Sequence, residues 1–176
     1  MLLLIAGFIS AAGLVWGFIY SLSWPSTLAL VLKMIFRDFI ALALLSAFIF
    51  YQTANRLLLS TSATGQREKV EFAYAFDVAV NAFWPLFLTL YLGLLPLAAL
   101  VVRRNWGSLF LGNSLFLLAL GQYVYVTYLG YSALPFVARA ELFLAPLLPL
   151  VVGWVLSLLG LNVARWALET YFGRPW

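Results

Sequence analysis

The sequence predicts an all-α, polytopic membrane protein built as a bundle of five transmembrane helices. Of its 176 residues, 65% are hydrophobic and only 9% are charged, whereas soluble domains carry about 25% charged residues. The apolar residues fall in long runs, and the first charged side chain is Lys33. A soluble fold of this size cannot bury so much apolar surface, so the lipid bilayer must cover it.

The first two helices are predicted over residues 1–22 and 27–51. The uncharged N-terminal run breaks at Pro25, because proline disfavours helical geometry at the residue before it, and Ser26 or Thr27 can cap the helix that follows. Helix 2 ends in a loop, 52–70, which is polar in its second half. Since the sequence begins inside a helix, we expect a soluble N-terminal segment to precede it.

Small residues recur at every fourth position of the first helix, at Gly13, Gly17 and Ser21. This spacing allows two helix backbones to approach closely. We therefore expect Gly13 and Gly17 to be packing positions, either within this bundle or against a partner helix.

Three further helices complete the predicted bundle, and a short C-terminal segment follows them. The helices are expected over 71–101, 107–129 and 141–161, and the segment over 162–176. Pro85 and Pro96 should kink the first of these helices or end it early. The last segment places Arg165 and Glu169 at helical spacing and carries several aromatic residues, which favours a helix lying in the membrane interface.

A few polar side chains fall where a lipid-facing helix should have none. They are Asp38, Asp77, Asn81, Asn113, Gln122 and Tyr125. An aspartate at mid-membrane costs about 3 kcal/mol on insertion scales, so such groups usually turn toward other helices. We expect Asp77, Asn81 and Asn113 to face the bundle interior and to hydrogen-bond across the third and fourth helices. The pattern leaves open whether these groups only hold helices together or also bind a partner.

Asp38 lies near the middle of the second helix, about 16 Å from its start at 1.5 Å per residue. Lys33 and Arg37 can extend back toward the membrane surface, but the shorter Asp38 cannot. Two interpretations follow: Asp38 holds a neighbouring helix by a hydrogen bond or ion pair, or it takes part in proton-coupled transport. The sequence has no histidine and no carboxylate relay, which favours the structural role.

The composition excludes several kinds of functional site. The absence of cysteine and histidine removes thiol nucleophiles, Cys-based metal sites and the commonest general base. The two aspartates lack the Gly-x-Gly-Asp context of intramembrane aspartyl proteases, and the sequence contains no Gly-x-x-x-x-Gly-Lys phosphate loop. A net charge of +4 without a Lys/Arg stripe does not indicate nucleic-acid binding. We therefore predict no enzymatic activity and no cofactor or metal.

Several short strings in the middle of the chain form a recognisable signature. They are YAFDV at 74–78, NAF at 81–83, PL at 85–86, GN at 112–113, YVT at 125–127 and LGYSALPF at 129–136. Through these strings the sequence resembles the Unc-fifty (uncoordinated-fifty) family of multi-pass Golgi membrane proteins. The stretch from Tyr125 to Phe136 is the longest and most specific of them.

The resemblance implies a Yip-like helical bundle with a cytosolic N-terminus, so that the 52–70 and 130–140 loops are cytosolic. It also implies a location in the Golgi membrane, with the endoplasmic reticulum as a second location. The implied role is vesicular transport of cell-surface receptors, in association with Arf guanine-nucleotide exchange factors. The residues themselves suggest an alternative, a small transporter or lipid-handling protein that uses a polar interior around Asp38 and Asp77.

Overall fold

The computed structural model describes residues 1–59 and 68–173. Part of the predicted 52–70 loop (60–67) and of the predicted C-terminal segment (174–176) lies outside these ranges. Within them the helices are α1 Leu2–Ile19, α2 Trp24–Leu32, α3 Leu42–Thr53, α4 Phe72–Phe87, α5 Leu94–Val101, α6 Trp106–Ser132, α7 Leu147–Ser157 and α8 Val163–Phe172. Shorter helical turns join them, π-helical at Lys33–Ala41, Ala54–Leu58 and Leu88–Gly93 and 3-10 at Ala140–Leu144. Apart from one isolated bridge, the described ranges contain no β-pairing, and the all-α prediction is confirmed.

Four helical segments among the described residues are long and apolar enough to cross a membrane. They are Leu2–Ile19, Phe72–Val101, Trp106–Ser132 and Ala140–Ser157. The second predicted span, 27–51, is helical but is not among the four. It carries Lys33, Arg37 and Asp38, and each charge raises the cost of crossing hydrocarbon. The prediction of a membrane-spanning bundle is confirmed, and the count of five is not.

The helices depart from their expected course near prolines and at the start of the predicted 52–70 loop, where helical turns continue to Leu58. Pro85 lies inside α4 without ending it, and π-helical turns begin three residues later at Leu88. Proline removes a backbone donor and crowds the preceding turn, and a wider π turn is one way in which a helix continues past such a site. The helix expected over 141–161 is shorter, because 3-10 turns precede α7 and α7 ends at Ser157.

The ends of α3 and α6 are joined beside the 52–70 loop. The backbone N–H of Ala138 donates to the Leu58 carbonyl at 2.7 Å, and Asn55 Nδ2 donates to the Val70 carbonyl at 2.9 Å. The first contact holds Leu58 against the segment that follows α6. The second holds the two described flanks of the loop together. This end of the bundle therefore includes both loops that the resemblance assigns to the cytosol.

α4 lies at the centre of the bundle, between α3 and α6. Its buried face combines the small residues Ala75, Ala79 and Ala82 with large ones such as Phe83 and Phe87, and the small residues let neighbouring helices approach closely. Gly130 of α6 lies so near that a Cβ there would be 2.7 Å from Val78 Cγ1. The position of α4 is thus set by close contact on this face.

α1 packs on α2 through the two glycines singled out in the sequence. A Cβ at Gly13 would lie 2.8 Å from Val31 Cγ2, and a Cβ at Gly17 would lie 2.5 Å from Thr27 Cγ2. Real Cβ atoms do not approach this closely, so both positions need glycine at the present helix separation. The small-residue face of α1 is therefore used inside this bundle.

Replacing Gly17 by alanine should separate α1 from α2. We expect the free energy of unfolding to fall by about 1 to 3 kcal/mol, the usual cost of overpacking. Gly7→Ala on the same helix is the matched control, because nothing lies within 4 Å of its Cβ position and alanine favours helix by about 1 kcal/mol. Thermal unfolding of the purified protein in detergent compares the two. Equal stability of both variants would contradict the close α1–α2 contact.

α8 packs against the bundle on one side and faces outward on the other. Ala164 and Leu168 are buried, and Phe172 stacks on Tyr20 of α1 with ring centroids 4.0 Å apart. On the opposite side Trp166 is 62% exposed. Over its described part, the expected interfacial segment is therefore a docked helix with an outward-facing tryptophan.

Candidate functional site

Asp38 lies among donors that come from three separate segments of the chain. Its Oδ1 accepts a hydrogen bond from Arg37 Nε at 2.6 Å, and its Oδ2 accepts one from the Tyr91 hydroxyl at 3.1 Å. The Tyr171 hydroxyl on α8 also donates to Oδ2, and the Tyr171 ring lies 4.9 Å from Arg37 Cζ. The Asp38 side chain is only 15% exposed, so this carboxylate joins the second helix to the π-helical turns after α4 and to α8.

The groups around Asp38 donate the hydrogen bonds that a buried carboxylate needs. Burial, and then the contact with Asp38, raise the pKa of Tyr171 above its usual value, so its hydroxyl stays protonated and can donate. The sequence places Arg37 beside Asp38, but no spacing rule points to the tyrosines. Tyr91 and Tyr171 lie 53 and 133 residues away in the sequence, and only the fold brings them to Asp38.

Asn113 is a buried polar residue of α6 that holds the link between α7 and α8. Its Nδ2 donates to Ser157 Oγ at 2.7 Å and to the Leu161 carbonyl at 2.8 Å, and its Oδ1 accepts from the Val163 N–H at 2.8 Å. The residue is 2% exposed. It faces the interior as expected, but its partners are not on the third predicted helix, because the chain folds back after α7 and covers this part of α6.

Asn162 adds a second connection at the same end of the bundle. Its Nδ2 donates to the Val101 carbonyl at 2.8 Å, and its Oδ1 caps α8 by accepting from the Arg165 N–H at 2.9 Å. Gly112 permits this approach, because a Cβ there would lie 2.7 Å from the Ala164 Cβ. The end of α5 and the starts of α6 and α8 are therefore fixed relative to one another.

Gln122 and Tyr125, on the second half of α6, lie in different environments. Gln122 is half-buried, and its Oε1 accepts from Thr89 Oγ1 at 2.8 Å. Tyr125 faces outward, with its ring 6.1 Å from that of Tyr128. The neighbouring Tyr123 is buried, and its hydroxyl is hydrogen-bonded to Ser46 Oγ of α3. The Gln122–Thr89 bond connects the third and fourth predicted helices.

Asp77 and Asn81 face outward, which corrects the expectation of an interior position. Both are exposed, and Asn81 Nδ2 donates to Asp77 Oδ2 at 3.2 Å. Successive helical residues turn by about 100°, so the buried Ala79 and Leu86 lie on the opposite side of α4. Spacing alone shows that polar residues share a stripe but not which side packs inward. The small residues take the inner face because they allow the closer contact.

The family of this chain follows from comparison with known proteins. The UNC-50 family model matches residues 1–172. The chain belongs to the UNC-50 family. This confirms the resemblance found in the sequence strings.

The UNC-50 chain has similar relatives in fungi and vertebrates. It is 36% identical over 166 residues to the GMH1 homolog of Schizosaccharomyces pombe, an alignment that covers 93% of the chain and 71% of that protein. It is 37% identical over 148 residues to unc-50 homolog A of Xenopus laevis and 36% identical over the same length to the human unc-50 homolog. These alignments cover 83% of the chain but only 56% of each vertebrate protein. No solved structure matches the chain.

The polar residues of this UNC-50 protein fall into two groups. Asp38 and Asn113 have inward partners and hold helices in position, whereas Asp77 and Asn81 present a carboxylate and an amide to the surroundings. Within the described ranges no group of three or more Cys, His, Asp or Glu side chains could hold a metal ion. The outward pair is therefore the candidate contact site for a partner within the membrane.

Proposed function

We propose that this UNC-50 protein is a trafficking factor of the Golgi membrane that binds other membrane proteins through the outward face of α4. In this role it supports the vesicular transport of cell-surface receptors and associates with Arf guanine-nucleotide exchange factors. It acts as a scaffold and not as an enzyme. Family membership and the four apolar helical segments support a role in a membrane, and the polar face of α4 supports a role in binding.

The exposure of Asp77 and Asn81 on a membrane-spanning segment carries the proposal. Polar groups that face lipid are costly, and a partner helix that hydrogen-bonds to them removes that cost. The carboxylate is an acceptor, and the Asn81 amide supplies donors as well. Ala73, one turn before Asp77, is also exposed. One turn after Asn81, the Trp84 ring contacts Phe8 of α1, with ring centroids 5.2 Å apart. A partner helix can therefore lie along the turns from Ala73 to Asn81.

The transporter alternative would require a path that joins Asp38 and Asp77. Asp38 points inward and is enclosed by Tyr91 and Tyr171, whereas Asp77 points outward from α4. An apolar cavity of about 160 Å³ is bordered by Tyr91 and Tyr171, but neither aspartate lines it. The arrangement therefore favours the scaffold over a transporter that uses both aspartates.

The test replaces both polar residues by leucine, as D77L/N81L, in cells that lack the endogenous protein. Leucine suits a lipid-facing position, so the abundance of the variant and its Golgi location should not change. Interhelical hydrogen bonds in membranes contribute about 0.6 kcal/mol each, so we expect recovery of a co-purified receptor to fall about fivefold to tenfold. Delivery of that receptor to the cell surface should fall with it.

Tyr125→Leu provides the matched control, because it also removes an exposed polar group but from a different helix. It should leave receptor binding and surface delivery at wild-type levels. The proposal fails if D77L/N81L is as active as the wild-type protein, or if the control loses binding to the same extent.

A further inference from the structure

A groove of about 490 Å³ opens at the end of the bundle where α5, α6 and α8 meet. The turn between α5 and α6 contributes Arg103 and Arg104, and the first turn of α8 contributes Arg165. The groove is also bordered by Trp106 and Trp166, one at the start of each of two helices. Three arginines and two tryptophans therefore surround one open space.

The groove carries an excess of positive charge. Arg165 is paired with Glu169, with Nε and Oε1 2.6 Å apart. Arg103 and Arg104 are exposed and have no ion pair with any described residue. Both α6 and α8 begin at the groove, and the positive ends of their helix dipoles add to the same field. An anion in the groove would meet two guanidinium groups that no described carboxylate neutralises.

The surroundings of the groove suit a lipid better than a soluble anion. The arginines follow directly on the membrane-spanning segment that ends at Val101, at the level where headgroups lie. Trp106 and Trp166 are 64% and 62% exposed, and tryptophan prefers this interfacial layer. One turn further along α6, the Phe110 ring stacks on the Trp106 ring with centroids 5.4 Å apart. The two rings form an apolar surface beside the groove. A lipid whose headgroup is bound to the arginines would therefore have a surface along which its acyl chains can lie.

We propose that this groove binds the phosphate of an anionic phospholipid headgroup. Guanidinium groups bind phosphate oxygens through paired N–H donors, and such charge-assisted hydrogen bonds are stronger than neutral ones. Arg103 and Arg104 hold the phosphate, the two tryptophans border the glycerol region, and the acyl chains lie along the α6–α7 surface.

The test uses the full chain in detergent and native mass spectrometry with dioleoyl phosphatidic acid as the probe. The variant R103Q/R104Q keeps side chains of similar length and removes both charges. The variant loses the charge-assisted hydrogen bonds to the phosphate, so the dissociation constant should rise at least about tenfold. R103K/R104K, which keeps the charge, should retain most of the binding. Dioleoyl phosphatidylcholine, which is zwitterionic, should bind more weakly to the wild-type protein.

R56Q/R139Q is the matched control, because it removes two exposed charges from the other end of the bundle, about 40 Å away along the 27 residues of α6. Phosphatidic acid should bind this control as it binds the wild-type protein. Equal losses in the two double variants would overturn the proposal, because they would reflect net charge alone. It would also be overturned if phosphatidylcholine bound equally well, or if glycerol 3-phosphate competed as effectively as the lipid, since the groove would then be a site for a soluble phosphate.

Discussion

Replacing Asn113 by leucine is expected to lower the free energy of unfolding by about 4 kcal/mol. Asn113 is 2% exposed and makes three hydrogen bonds to the α7–α8 link. Leucine has a similar size but cannot pair with the Leu161 carbonyl or the Val163 N–H, and each buried group left without a partner costs about 1 to 3 kcal/mol. Ser157 is less affected, since its hydroxyl also donates to the Trp154 carbonyl.

Chemical unfolding of the purified protein in mixed micelles measures this effect. Asn81→Leu is the matched control, because it makes the same change on the outward face of α4, where the described contact is one hydrogen bond to Asp77. A surface change of this kind should alter stability by less than about 0.5 kcal/mol. If Asn113→Leu were as stable as Asn81→Leu, the α7–α8 link would not depend on Asn113.

Replacing Asp38 by leucine should lower the free energy of unfolding by about 2 to 4 kcal/mol. The change leaves the hydroxyls of Tyr91 and Tyr171 without their acceptor and leaves Arg37 without its partner. Arg37 is largely exposed, so water compensates for part of that last loss. We expect α8 to pack less tightly against the bundle. The abundance of the protein in membranes should fall as well.

Asp38→Asn separates a structural role from a charge-dependent one. The amide oxygen can still accept from the two tyrosines, so we expect a loss of about 1 kcal/mol and near-normal abundance. Under the proposed function, surface delivery of a receptor should be largely retained. A stable and abundant Asp38→Asn protein without activity would refute the structural role and indicate a mechanism that depends on the charge.

The fold class could be predicted because its signals are local or are summed over long stretches. Apolar runs identify the membrane-spanning segments regardless of how they pack. α6, expected over 107–129 and observed at Trp106–Ser132, has a clear start, since the Asn105 side chain accepts from the Ser108 N–H at 2.7 Å. The second predicted span, 27–51, could not be judged from its own residues. The free-energy cost of placing Lys33, Arg37 and Asp38 in the membrane depends on partners that lie elsewhere in the chain.

The orientation of α4 could not be predicted from the periodicity of its polar residues. Asp77 and Asn81 share one stripe, and an interior position would satisfy them if the facing helices supplied partners. The small residues Ala75, Ala79 and Ala82 form an opposite stripe, and their closer packing determines which side turns inward. The partners of Asp38 were missed for a different reason, since two tyrosines at large sequence separation carry no local signal.

The contact between Asp38 and Tyr171 also sets an order of events during synthesis. Ribosomes add about 5 to 20 residues per second, so the 133 residues that separate these side chains take roughly 7 to 27 s to be made. Throughout that interval the Arg37–Asp38 pair exists but its partner on α8 does not. The nascent chain therefore holds a carboxylate without its α8 donor until α8 has been made and has docked.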